Sequence, residues 1–86
     1  MPPYRVLYKP SVERDLRRIP KEVLRRVLAA AEQLADDPFP RQASKLSGAE
    51  RLYRVRVGAY RIVYEVATKA KVVTVYYIRH RRTAYG

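Results

Sequence analysis

Residues 52–66 read Leu52-Tyr53-Arg54-Val55-Arg56-Val57-Gly58-Ala59-Tyr60-Arg61-Ile62-Val63-Tyr64-Glu65-Val66, and their reading decides the fold. Two alternating runs flank a Gly-Ala pair, which is the pattern of two strands joined by a two-residue hairpin turn. In that register Val57 faces Tyr60, Val55 faces Ile62 and Tyr53 faces Tyr64. These six share one side of the sheet, which becomes the core side. The opposite side then carries Arg54, Arg56 and Arg61, with Arg56 directly across from Arg61. Like charges paired across strands cost ~0.2–1 kcal/mol. The placement therefore suggests a cationic platform held ready for phosphates. The plainer alternative is that long arginine side chains splay into water from an exposed sheet face.

Downstream, Val72–Arg79 is a third strand-like run, separated from the second by Thr68-Lys69-Ala70-Lys71. If Lys69 and Ala70 form the turn, Tyr76 falls on the arginine side, where it could stack on a base. His80 then continues onto the same side, next to Ala59. A longer loop would reverse that parity and leaves open which of Arg79, His80 and Arg81 faces the site.

Upstream, Tyr4–Lys9 alternates enough for a short strand that Pro10-Ser11 stops, with Ser11 as a helix N-cap and Glu13 and Asp15 in the first turn. Val12, Leu16 and Ile19 form one helical stripe. Pro20 suits the first position of a second helix. Val23, Leu24, Val27, Leu28, Ala31, Leu34 and Ala35 keep the spacing of an amphipathic face. Asp36-Asp37-Pro38 ends that helix, and residues 41–50 read as a loop around Gly48. The charged helical face (Arg17, Arg18, Lys21, Arg25, Arg26, Glu32) is a solvated surface. The expected architecture is α+β: an N-terminal strand, a helical hairpin, then a three-stranded antiparallel meander with the helices packed on one sheet face. Eighty-six residues without an internal repeat suggest one domain spanning residues 1–86.

Composition narrows the function. Nineteen Lys and Arg oppose eight Asp and Glu, a formal charge of +11 that points to a polyanionic partner. Residues 41–86 carry eleven basic and two acidic side chains, so the charge sits in the half that forms the meander. Fourteen of the nineteen are arginine, the side chain suited to bidentate phosphate contacts. With no cysteine and one histidine, thiol chemistry and metal-ligand spacing are absent, and no cofactor-binding fingerprint is present. There is no apolar run of membrane-spanning length and no signal-peptide pattern, so a cytoplasmic location is expected. RNA cleavage fits such a residue set, because RNA brings its own nucleophile, the 2′-hydroxyl. The protein then has to align the backbone, neutralise the transition state and move protons. Arginine serves the first two tasks but is a poor base. His80 and Tyr85 are the candidate proton carriers near the basic cluster.

Lys45-Leu46-Ser47-Gly48, the run 52–66 and Ile78-Arg79-His80-Arg81-Arg82-Thr83-Ala84-Tyr85, in this order and spacing, resemble the RelE branch of the RelE/ParE type II toxins. The resemblance implies a ribosome-dependent endoribonuclease that cuts mRNA in the A site by 2′-hydroxyl attack, without metal or other cofactor. It also implies a cognate antitoxin, with a toxin–antitoxin heterotetramer as the assembly. By resemblance, Arg61 matches an arginine that contacts the scissile phosphate, Arg81 a second, and Tyr85 the family's C-terminal tyrosine. Arg54 and Arg56 stand where some relatives have lysines, one of them a proposed base, so the base is His80, Tyr85 or none. Lys45, Arg51, Arg79, Arg82 and Tyr76 are further candidates for RNA contact. Two competing readings remain at this point: a ParE-like inhibitor of DNA gyrase, and a non-catalytic basic module that binds RNA or the ribosome.

Overall fold

At the hairpin turn, Gly58 has φ 59° whereas Ala59 stays out of the left-handed region. A positive φ at the first central residue alone is the type II′ pattern, which needs glycine there and accepts alanine next. The turn joins β3 (Leu52–Val57) to β4 (Tyr60–Ala67) in the expected register, including Val57 with Tyr60, Val55 with Ile62, Tyr53 with Tyr64 and Arg56 with Arg61. The computed structural model describes residues 3–46, 48 and 51–84.

Around this hairpin the other elements are β1 (Arg5–Tyr8), α1 (Pro10–Arg17), α2 (Lys21–Gln33), β2 (Ser44–Lys45), β5 (Val72–His80) and α3 (Arg81–Ala84). The five strands form one sheet in the order β1-β5-β4-β3-β2. β1 runs parallel to β5, and every other neighbouring pair is antiparallel. Two features go beyond the sequence reading. Ser44 and Lys45, expected in a loop, pair with Arg54 and Tyr53. The first strand docks on the last, a connection no local pattern announces.

Helix boundaries shift by one or two residues from expectation. Lys9, not Ser11, is the N-cap of α1, with Pro10 in the first turn, where its missing N–H costs nothing. Pro20 is itself the N-cap of α2. The apolar stripes behave as their spacing requires. Val12, Ile19, Val27, Ala31 and Leu34 are buried against Val55, Ile62, Tyr64, Val66, Val73, Val75 and Ile78, on one face of the sheet. Arg17, Arg18, Lys21, Arg25, Arg26 and Glu32 are exposed.

One residue of β5 changes the geometry of everything after it. Val63 pairs with Tyr77, yet Tyr64 pairs with Val75, so Tyr76 is an extra residue, a β-bulge. Val75 and Ile78 are three apart and both buried in the core. A regular strand would put them on opposite faces, and the bulge restores both to the same one. Past Tyr8 and Val75 the β1–β5 pairing ends. Beyond that point the N–H of Ile78 donates to Oδ2 of Asp15 at 3.1 Å, so a carboxylate from α1 takes the place of strand β1.

Tyr64 crosses the core and donates its hydroxyl to the carbonyl of Pro38 at 2.8 Å, tying the central strand to the segment after α2. Burial first, then the Asp37 carboxylate and Tyr53, push its phenol well above the ordinary value. Tyr64→Phe leaves the Pro38 carbonyl unpaired and is expected to cost about 1–3 kcal/mol in urea unfolding. Because the folded state holds Tyr64 neutral while the unfolded chain ionises near pH ~10, this contribution is complete below that pH and is lost as pH rises above it. The alkaline decline in stability should therefore be shallower in Tyr64→Phe.

Candidate nucleic-acid interface

The bulge decides which groups meet at the end of the sheet. Because it adds one residue, Arg79 pairs with Arg61, and His80 pairs with Tyr60. Since Arg61 also pairs with Arg56, the three central strands carry one continuous row, Arg56–Arg61–Arg79, on the face turned away from the helices. The next row on that face is Arg54, Val63 and Tyr77. The guanidinium of Arg79 lies 4.3 Å from the centre of the Tyr77 ring, a cation–π contact that holds it over the sheet.

Within the row the three cations differ. Arg56 and Arg79 are exposed at the flanks, whereas Arg61, expected to project from the sheet together with Arg54 and Arg56, is only 6% exposed. Its place explains the difference: β4 is the middle strand, with a neighbour on each side, so its side chains are the most covered. A centrally held guanidinium has lost much of its freedom before any ligand arrives. That is the condition under which fixed charge stabilises a transition state most.

His80 is corrected by the same register. A turn at Lys69-Ala70 with a regular strand after it would put the ring on the arginine side beside Ala59, a parity that the sequence left open. The ring lies instead on the helix side, edge-on to Tyr60 with ring centres 5.3 Å apart. Its Nδ1 accepts the N–H of Arg82 at 3.2 Å, so a neutral ring carries its proton on Nε2. Arg81 and Arg82 are exposed on α3, whose start is fixed by the Arg81 N–H donating to the Ala59 carbonyl at 2.8 Å. Tyr85 lies outside the described residues.

The other candidates divide. Tyr76 is the bulge residue, and its ring has the Lys9 ammonium at 4.9 Å. Lys45 pairs with Tyr53 and so shares the helix side, away from the arginine row. Arg51 precedes β3 at the far end of the hairpin, beside Phe39 and Lys69. Neither joins the cluster. Tyr77, which the sequence reading passed over, does. Only the displaced pairing brings it to the arginine face, in the row with Val63 and Arg54 and against Arg79, and alternation alone would not have found it. Among the described residues, no group of three or more His, Asp or Glu stands together that could hold a metal ion. No helix there is long and apolar enough to cross a membrane.

Comparison with known proteins bears on this arrangement. A family model described as the ParE toxin of the type II toxin–antitoxin system parDE matches residues 4–85. The chain belongs to the RelE/ParE superfamily of type II toxins. Within the superfamily it falls on the RelE branch: it is 30% identical over 77 residues, 86% of each chain, to a Methanocaldococcus jannaschii protein that carries the name RelE1. The RelE of a RelE–RelB complex from Pyrococcus horikoshii OT3 superposes with a TM-score of 0.81 at 36% identity, covering 92% of this chain and 96% of that one. The RelBE2 toxin–antitoxin complex of Mycobacterium tuberculosis gives a TM-score of 0.81 at 27% identity, over 92% and 99%. The RelE-like fold and the arginine row thus coincide in one chain.

Three like charges in a row oppose folding, and mobile ions screen that repulsion. Raising NaCl from 0.05 to 0.5 M is expected to raise Tm, and the rise should shrink in Arg61→Met. An equal rise in both proteins would mean that the row contributes nothing to the repulsion.

Proposed function

We propose that this toxin is an endoribonuclease that cuts mRNA in the ribosomal A site, and that the Arg56–Arg61–Arg79 row is the centre of its site. The observation that carries the reading is the row itself, a line of preorganised guanidinium groups on the open face of the sheet. The reaction asks little else of a protein. The 2′-hydroxyl attacks the adjacent phosphorus, the new 2′-O–P bond forms as the P–O5′ bond breaks, and one proton leaves the nucleophile as another reaches the departing oxygen. The products are a 2′,3′-cyclic phosphate and a 5′-hydroxyl. Arg61 neutralises the non-bridging oxygens, while Arg56 and Arg79 align the backbone from either side and Arg54 extends the platform. Tyr77 and Tyr76 offer faces on which bases stack. In this reading Arg79 takes the part that the family resemblance implied for Arg81, because Arg79 lies in the row and Arg81 lies on α3. With His80 turned to the helix side, the remaining proton carrier is Tyr85.

The partner in this reading is a cognate antitoxin. The solved relatives from Pyrococcus and Mycobacterium are toxin–antitoxin complexes. In this chain β1 is an edge strand with Leu7 and Tyr8 exposed, apolar surface that a partner segment can cover. The setting is the cytoplasm, where ribosomes and antitoxin meet the toxin.

A gyrase inhibitor is the second reading, favoured by the ParE description of the matching family model. The two separate cleanly. On programmed ribosomes, primer extension should show A-site cuts with the wild type. Arg61→Ala should lower the rate by about 10²–10³, as losing one preorganised donor does. Arg79→Ala should be more damaging than Arg81→Ala. Intact mRNA together with inhibition of supercoiling at stoichiometric toxin would instead establish the gyrase reading.

A further inference from the structure

On the other side of β5 from the arginine row, a depression of about 580 Å³ opens between α1 and the end of the sheet. It is lined by Ser11, Arg14, Asp15, Arg18, Tyr60, Ile78, Arg79 and His80. Four of these are spaced i, i+3, i+4, i+7 along α1 and its cap, so Ser11, Arg14, Asp15 and Arg18 form one polar stripe beside the buried stripe of Val12 and Ile19. Arg14 and Arg18 are exposed, and Asp15, the one acid in the wall, has an oxygen committed to the Ile78 N–H. The perpendicular Tyr60–His80 pair supplies an aromatic wall. Arg79 belongs both to this wall and to the Arg56–Arg61–Arg79 row, so the two sites meet at the end of β5.

We propose that this depression is a second RNA site, holding one nucleotide with its phosphate on Arg14 and Arg18 and its base against Tyr60 and His80. The volume lies within the ~300–1,000 Å³ range of small-ligand sites, enough for a nucleotide and too small for a helical segment. Two guanidinium groups beside an aromatic pair, with one oxygen of the nearby carboxylate held by the Ile78 N–H, is the chemistry of a nucleotide rather than of an acidic peptide, which offers no planar base. A strand crossing the end of β5 places one phosphate on the row and another in the depression. The site deepens the RNA reading above and rests on it for the identity of the ligand.

The test uses RNA that cannot be cut. A fluorescent single-stranded decamer with 2′-deoxy substitutions is titrated with wild type, with Arg14→Gln/Arg18→Gln, and with a charge-matched control on α2, Lys21→Gln/Arg25→Gln. All four residues are exposed, and thermal unfolding verifies the fold of each variant. The pocket variant should bind about tenfold more weakly. Its log–log salt slope should be shallower by about 0.7, the value for one single-strand phosphate, with the control unchanged. A parallel titration of vacant ribosomes separates the sources of the phosphate: loss on the decamer assigns the strand being cut, and loss on vacant ribosomes alone assigns ribosomal RNA. Equal behaviour of the two double variants on both RNAs overturns the site. So does a loss confined to antitoxin binding, which would give the depression to an acidic protein segment. Because no arm measures cleavage, a wild type that fails to cut mRNA would overturn the proposed activity and leave this result independent.

Discussion

One extra residue in β5 governs what this sheet can present. A strand alternates its faces strictly, so inserting Tyr76 reverses the orientation of everything beyond it. Val75 and Ile78 can then both enter the core, and Arg79 comes to stand opposite Arg61. Hydrophobic packing on one face and the charge row on the other are consequences of the same insertion. Neither could be changed without the other, because β5 is pinned on both sides, by β4 and by β1 followed by Asp15.

The fold supports the charge row from beneath. Each like-charged pair opposes strand association by a fraction of a kcal/mol. The other side of the same strands buries Val55, Ile62, Tyr64, Val75 and Ile78, each contributing on the order of 1.5–3 kcal/mol. Packing therefore outweighs repulsion several-fold, and the guanidinium groups stay in register although like charges face each other across the strands. Charges held this way by packing are fixed in advance, and the reorganisation that a flexible cluster would need to meet an anion is already done.

How much of this was legible follows the range of the interactions. The β3–β4 hairpin, its register and its two faces come directly from alternation about Gly58-Ala59, so Arg54, Arg56 and Arg61 were placed correctly on one side. The helices follow from apolar spacing, with their starts displaced by a residue or two because prolines can occupy either an N-cap or a first-turn position. Three things were hidden. The bulge leaves no mark in a run of β-branched and aromatic residues, so His80 and Arg79 exchanged faces. The pairing of β1 with β5 spans most of the chain. The burial of Arg61 depends on β4 being the middle strand, which is a property of the whole sheet. The side that Lys45 takes was hidden for a related reason: a two-residue strand inside an apparent loop fixes its direction.

The docking of β1 against β5 bears on how the molecule comes into being. The second place in the sheet, between the first strand and the hairpin, belongs to the segment synthesised last among the strands. Until residues 72–80 are available, β1 has no neighbour, and the apolar stripes of α1 and α2 lack a large part of the surface they cover. Such a nascent chain gains little by ordering early, since the contacts that reward it are the most distant in sequence. Completion of this sheet thus waits on the synthesis of residues 72–80, and the arginine row does not exist as a row until then.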